Sequence, residues 1–161
     1  MIKEALVGRD VVHPFKKAAA AKPWPEHHNL LSDETPQDHF ITRDDTVFAG
    51  IHLIIDLWGA KHLDDLERME KALRECVDKA KATLLHIHLH HFTPNGGISG
   101  VAVLAESHIS VHTWPERDFA AFDVFMCGNS RPAEAIPVLS NAFYPKKIIV
   151  SENLRGVLDH A

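Results

Sequence analysis

The stretch ISGVAVLAESHISVHTWPERDFAAFDVFMCG, residues 98–128, decides the fold. It holds three runs rich in β-branched, aromatic and alternating apolar residues, at 98–106, 108–114 and 119–128. The connection PERD between the last two runs is short and polar, as connections between neighbouring strands are. Because such short connections join strands that run in opposite directions, the stretch predicts antiparallel strands.

Segments on both sides extend this predicted sheet. Residues 84–92, LLHIHLHHF, end in the turn TPNGG and predict a strand beside the first of the three. Residues 47–60 are rich in β-branched and aromatic residues and too poor in charge for a surface helix, so they predict a further strand. Residues 146–154 predict the last one.

Two segments have helical periodicity. Residues 62–83 predict an amphipathic helix of about five turns, with acidic residues near its start and lysines near its end, as the helix dipole favours. Residues 131–143 predict a shorter helix, with Pro132 in the tolerated first turn. The order of elements predicts an α+β fold, a two-layer α/β sandwich whose antiparallel sheet carries both helices on one face. The apolar positions of the first helix are Leu63, Leu66, Met69, Leu73, Cys76, Val77 and Ala80.

The first 46 residues differ from the rest of the chain. They lack sustained periodicity and include four prolines and an alanine run at 18–21. We expect residues 1–46 to be an N-terminal extension, partly ordered or flexible, and residues 47–161 to form one domain.

The composition excludes several classes of protein. A net charge of −5 argues against a nucleic-acid partner, and no apolar run approaches the roughly 18 to 20 residues of a membrane span. Two cysteines cannot form a disulfide framework, and no segment resembles a secretory signal. We therefore expect a soluble, cytoplasmic protein with free thiols. The thirteen histidines are the one unusual feature.

The histidines at 86, 88 and 90 are the first candidates for chemistry. Alternate positions of a strand share one face, so His86, His88 and His90 offer imidazoles of the kind that bind zinc. The outer two are separated by about 13 Å along a strand, which is too far for one ion. We favour a partly exposed or substrate-lining face and expect no bound metal. A zinc-dependent hydrolase stays as the more distant alternative.

A hydrolase nucleophile is the second candidate. Ser107 or Cys127 could be activated by His108 or His112. However, Ser107 and His112 are five residues apart, so a regular strand places them on opposite faces, and only a bend would bring them together. The glycine-flanked nucleophile elbow of α/β-hydrolases is absent.

Self-cleavage is the third candidate. A serine directly after a glutamate can attack the preceding carbonyl where the backbone is strained, which converts the Glu106–Ser107 amide into an ester. Elimination then cuts the chain and leaves a pyruvoyl group, a ketone that in some decarboxylases takes the place of pyridoxal phosphate as the electron sink. Spacing alone does not select this chemistry.

A resemblance does select it. Residues 96–128 closely resemble the bacterial S-adenosylmethionine decarboxylases, pyruvoyl enzymes of polyamine synthesis. The family pattern S-G-x-x-x-x-x-E-S-H-x-x-x-H-T-x-P-E is complete here, and a cysteine before a glycine follows the last histidine by fifteen residues. The resemblance extends more weakly over residues 47–155.

The resemblance implies roles for the residues of the motif. Ser107 would become the pyruvoyl cofactor after cleavage between Glu106 and Ser107. Ser99 and His112 match the residues that assist the acyl shift and the elimination. Cys127 matches the residue that returns a proton to the α-carbon of the substrate.

Two further residues match substrate-binding positions of the family. Glu116 corresponds to a residue at the polar end of the substrate, and Phe92 is the candidate for stacking against its adenine. The implied activity is decarboxylation of S-adenosylmethionine, which supplies the aminopropyl donor for spermidine. The same pyruvoyl chemistry on arginine or ornithine is the near alternative. Because the family pairs two protomers face to face, we expect a homodimer of αβ units with sites near the interface.

Overall fold

A computed structural model describes residues 39–158 of the chain. Most of the predicted extension, up to residue 38, lies outside the described residues. The part that is described contains a small hairpin, in which β1 (Ile41–Arg43) pairs antiparallel with β2 (Thr46–Phe48).

The domain is built on a six-stranded sheet in which every neighbouring pair is antiparallel, as predicted. β4, β5, β6 and β7 follow one another as a meander, and β3 then inserts between β7 and the edge strand β8. The strands of this sheet are β3 (Gly50–Trp58), β4 (Leu84–His91), β5 (Ile98–Leu104), β6 (Ser107–Trp114), β7 (Phe119–Met126) and β8 (Lys147–Arg155).

Two helices pack against each other and against the sheet: α1 (Leu66–Lys79) and α2 (Ala135–Phe143). α1 is shorter than the predicted 62–83 because of its caps. The Asp65 side chain accepts a hydrogen bond from the backbone N–H of Arg68, which begins the helix, and Lys81 beyond its end has a left-handed φ of 58°. A 3-10 turn precedes α2 at Pro132–Glu134.

One face of the sheet is buried and the other is open. Alternate residues of β3, β6 and β7 are buried with the apolar sides of both helices in a single core, which confirms the two-layer prediction. The opposite face is not covered by any described element and exposes several large apolar side chains. These are Ile54, Trp58, Val103, Trp114 and Ile149, each at least 40% exposed.

The predicted strand 47–60 is divided in two. It breaks after Phe48, because Ala49 leaves the hairpin and donates a backbone hydrogen bond to Arg155 O. A Cβ at Gly50 would lie 2.8 Å from Met126 O, so β7 approaches this point more closely than any side chain allows. Within residues 39–158 no helix is long and apolar enough to cross a membrane.

Candidate active site

The turn between β5 and β6 holds the backbone in an unfavourable conformation. Glu106 has a φ of +64°, in the left-handed region that a residue with a long side chain adopts at a cost of about 1 to 3 kcal/mol. Ser107 follows as the first residue of β6, and its side chain is buried toward the core. The backbone of this turn is therefore strained at Glu106, the residue directly before a buried hydroxyl.

The thiol of Cys127 reaches the same turn from the end of β7. Its Sγ donates a hydrogen bond of 2.8 Å to the carbonyl oxygen of Glu106 and lies 3.8 Å from the Oγ of Ser107. The backbone N–H of Cys127 also donates to that Oγ, at 3.4 Å. A hydroxyl, a carbonyl and a proton donor thus lie together, and we call Glu106, Ser107 and Cys127 the cleavage cluster.

The second cysteine has a different environment. Burial raises the pKa of the Cys76 thiol to about 12, and its Sγ lies 3.8 Å from Ala135 O within the core. Cys127 is only half-buried, and both thiols are free, as expected. Cys76 is a core residue, so the thiol available for chemistry is that of Cys127.

Ser99 and His112 form a second cluster. They are paired residues of β5 and β6, and Ser99 Oγ lies 2.8 Å from His112 Nδ1 on the open face of the sheet. In this arrangement a hydroxyl and an imidazole can relay a proton. We call this pair the serine–histidine dyad.

A cavity of about 230 Å³ adjoins the dyad. Its floor is fixed by the buried Thr113, whose hydroxyl accepts a 2.7 Å hydrogen bond from the Ile98 N–H and donates one of 2.9 Å to Leu63 O. Cavities that bind small molecules usually measure about 300 to 1,000 Å³, so this one is small for a complete site. Its lining consists of Phe92, Asn95, Gly97, Ser99, His112, Thr113, Trp114 and Glu116.

The two clusters lie at opposite ends of β6 and on opposite faces of the sheet. β6 is regular from end to end, with Ser107 on the buried face and His112 on the open face, so there is no bend to bring them together. Five residues of strand span about 16 Å. The alternation of β6 had predicted this separation, and a single chain does not join the dyad to the cleavage cluster.

The strand histidines lie where their alternation predicted. His86, His88 and His90 pair with Val103, Val101 and Ser99 in the register of β4 with β5, and all three are exposed. Among residues 39–158, no three side chains of His, Cys, Asp or Glu are grouped closely enough to hold a metal ion. The zinc alternative gains no support from this strand.

Comparison with known proteins identifies the family of the chain. A sequence model of the S-adenosylmethionine decarboxylase family matches residues 51–156. The chain belongs to this family. It is 44% identical over 110 residues to an S-adenosylmethionine decarboxylase proenzyme of Thermomicrobium roseum, covering 68% of this chain and 95% of that one.

Other relatives extend the comparison. A proenzyme of the same description from Methanococcus vannielii is 47% identical over 113 residues, covering 68% of this chain and 92% of that one. The crystal structure of the adenosylmethionine decarboxylase from Aquifex aeolicus has a TM-score of 0.63 at 33% identity, covering 71% of this chain and 96% of the other. The α+β fold and the enzyme class, a carboxy-lyase, are thereby confirmed.

The geometry divides the predicted family residues into two groups. Glu106, Ser107 and Cys127 form the cleavage cluster at the turn between β5 and β6. Ser99 and His112 form the dyad. Phe92 and Glu116 line the cavity that adjoins the dyad.

The sequence analysis assigned no role to two residues that lie beside these groups. One is Thr113, which anchors the cavity floor. The other is His39, whose Nε2 lies 3.0 Å from Oε1 of Glu106. The alternation in β6 placed Thr113 on the buried face, which gave a signal of its burial. No sequence pattern indicated a contact for His39, because it lies in a segment without periodicity.

Proposed function

We propose that this chain is the proenzyme of a self-processing decarboxylase of S-adenosylmethionine, cleaved between Glu106 and Ser107. The observation that carries the proposal is the cleavage cluster. It combines a left-handed glutamate, a buried serine hydroxyl and a thiol that donates to the carbonyl under attack. Relatives named as proenzymes support the proposal that this cluster is the precursor of a pyruvoyl group.

The first step is an acyl shift at the cleavage turn. The Oγ of Ser107 attacks the carbonyl carbon of Glu106, and the C–N bond breaks as the new ester bond forms. Negative charge develops on the carbonyl oxygen, and the Cys127 thiol already donates to that atom at 2.8 Å. A donor placed before the reaction stabilises the charge without reorganisation, and breaking the peptide bond relieves the left-handed strain at Glu106.

The second step is an elimination that cuts the chain. A base removes the α-proton of residue 107, the Cβ–Oγ bond breaks, and Glu106 leaves as a carboxylate. The dehydroalanine that remains exchanges its nitrogen for water, so that one water is consumed and one ammonia released. The serine–histidine dyad supplies a suitable base, since its imidazole is hydrogen-bonded and exposed on the open face.

The environment of residue 107 suits the pyruvoyl group. When formed, this ketone supplies the carbonyl that binds the substrate amine and accepts the electrons released with CO2. Residue 107 is buried, which shelters a ketone from water, and the Cys127 thiol lies 3.8 Å from its Oγ. We assign to that thiol the return of a proton to the substrate, the role that the family resemblance implies for Cys127.

A second copy of the chain would complete the site. The dyad and its cavity lie about 16 Å from the cleavage cluster on the other face, and neither contains all the groups that the chemistry needs. In a face-to-face dimer, the two-fold axis would lie between the two sheets and run at right angles to β6 near its centre. The end of β6 that carries Ser107 would then lie opposite the dyad end of the partner's strand. Burying the open face would also cover its exposed apolar side chains, among them Trp58, Trp114 and Ile54.

The cavity beside the dyad fits part of the substrate. The ring of Phe92 is about half-exposed and offers a face for the adenine, while the Glu116 carboxylate attracts the polar end of a cationic substrate. The cavity is too small for the whole molecule, as expected if the partner chain provides the ketone.

Decarboxylation of labelled amino acids tests this function. The purified protein should release labelled CO2 from carboxyl-labelled S-adenosylmethionine, and a Ser107→Ala chain should release none, because it cannot form the ketone. Arginine and ornithine serve as the comparison substrates. Release from either of these, with none from S-adenosylmethionine, would replace the proposed substrate while keeping the chemistry.

The dimer is tested separately by analytical ultracentrifugation. The uncleaved Ser107→Ala chain should sediment as a dimer at micromolar concentration. A purely monomeric chain at that concentration would contradict the completed site.

A further inference from the structure

His39 contacts the cleavage turn from outside the family domain. It lies twelve positions before residue 51, where the match to the family begins. Its Nε2 is 3.0 Å from Oε1 of Glu106, the residue that precedes the bond to be cut. Its backbone carbonyl accepts a hydrogen bond of 3.0 Å from the N–H of Gly128, the residue after the Cys127 thiol. One residue therefore bridges the two backbone segments that form the cleavage cluster.

Both segments have a left-handed backbone conformation at the contact points. Glu106 has a φ of +64° and Gly128 one of +61°. The imidazole also packs over Gly128, since a Cβ at that position would lie 3.5 Å from His39 Nδ1. The thiol donates to Glu106 O only while these two turns keep their relative position. A contact that holds Glu106 against the end of β7 therefore bears on the geometry of the reaction.

We propose that His39 is a positioning residue for self-cleavage. By holding the Glu106 carboxylate it keeps the strained turn against Cys127, so that the carbonyl oxygen stays on the thiol while Ser107 attacks. His39 contacts no reacting atom, and this role rests on the cleavage proposed above. It would be a contribution of the N-terminal segment that the family domain itself does not contain.

The expected size of the effect is modest. Both partners are about half-exposed, at 45% for His39 and 50% for Glu106. A contact between exposed polar side chains contributes little free energy, which corresponds to a change of about two- to fivefold in the rate of cleavage. The effect should fall on the rate and leave the core unchanged, because neither side chain is part of it.

Two substitutions at the same position separate positioning from bulk. His39→Gln keeps an N–H donor at the reach of Nε2, whereas His39→Leu keeps the size and removes the donor. Full-length chains are made by cell-free synthesis, and the fraction cleaved is followed on denaturing gels. The wild-type chain and His62→Ala, an exposed histidine whose ring meets Tyr144, are the references.

His39→Leu should be cleaved about two- to fivefold more slowly than the wild-type chain. His39→Gln and His62→Ala should be cleaved at close to the wild-type rate. The uncleaved chains should have equal melting temperatures. Equal rates for all the chains would overturn the inference. Cleavage of His39→Gln as slow as that of His39→Leu would also overturn it, because loss of the N–H donor would then not explain the slower rate. A wild-type chain that never cleaves would instead remove the proposed function, and the inference with it.

Discussion

Mixing two inactive variants should restore cleavage if the site is shared between chains. Ser107→Ala cannot be cut, because it lacks the nucleophile, and His112→Ala lacks the base. Neither variant should cut itself, because every copy of it lacks one of the two groups. Within one chain the two positions lie about 16 Å apart on opposite faces of β6, so a complete site needs groups from two chains. In the proposed face-to-face dimer, however, the intact Ser107 of one copy would lie opposite the intact His112 of the other.

The expected yield follows from random pairing. Equal amounts of the two chains, co-expressed, give mixed dimers for about half of each variant. Each mixed dimer contains one complete site, and the chain it cuts is always the His112→Ala chain. About half of the His112→Ala chains should therefore appear as fragments, and more if the dimers exchange partners during incubation.

Intact mass spectrometry reads this result directly. The C-terminal fragment should carry the His112→Ala mass change, which identifies the chain that was cut. The matched control mixes Ser99→Ala with His112→Ala, whose defects lie in the same dyad. That mixture should stay uncut, because no dimer within it has a complete dyad. Failure of the first mixture to cleave, with dimers present, would refute the shared site.

Three further predictions concern single residues. Asp65→Ala should lower the free energy of unfolding by about 1 kcal/mol, since the side chain caps α1 at the N–H of Arg68. The hydrogen bond from that backbone N–H lowers the pKa of Asp65 in the folded chain, so its stabilisation is present above about pH 3.9 and lost as the pH falls further. At pH 8 an alkylating reagent should label Cys127 in the folded chain and spare Cys76, whose pKa of about 12 keeps it protonated in the core. Phe92→Ala should raise KM for S-adenosylmethionine by roughly fivefold, because a stacking contact of about 1 kcal/mol is lost.

Each of these predictions has a control. Urea melts of the capping variant are made in an uncleavable Ser107→Ala background, where Asp65→Asn should keep most of the cap and equal loss in both variants would count against it. Mass spectrometry of the alkylated protein should show label on Cys76 only after unfolding. For Phe92, a Tyr substitution should keep KM near the wild-type value, and an unchanged KM in the Ala variant would remove the ring from the substrate site.

Much of the fold followed from local pattern. The three- and four-residue spacing of Leu73, Cys76 and Val77 predicted α1, and these side chains are buried as a helix face should be. The five-residue spacing of Ser107 and His112 predicted that a regular strand places them on opposite faces, as β6 does. Local pattern was enough in both cases, because burying one side of a helix or strand fixes the spacing of its buried residues along the sequence.

The rest depends on contacts between distant parts of the chain. The break before Gly50 accompanies the hydrogen bond from Ala49 to Arg155 O and the close approach of Met126 O, and no neighbouring residue indicates either contact. The contact of His39 with Glu106 crosses 67 positions and begins in a segment without periodicity, so no window of sequence contains it. The roles of Glu106, Ser107 and Cys127 were predicted from a resemblance to a family motif, because their spacing alone does not indicate this chemistry.

The most direct measurement is the intact mass of the purified protein under denaturing conditions, beside a Ser107→Ala chain. Cleavage of the 161-residue chain after Glu106 predicts fragments of 106 and 55 residues. The smaller fragment should be lighter by one ammonia than simple hydrolysis would leave it, whereas the Ser107→Ala chain should stay whole. A wild-type chain that remains a single uncut species after prolonged incubation would contradict the account at its centre.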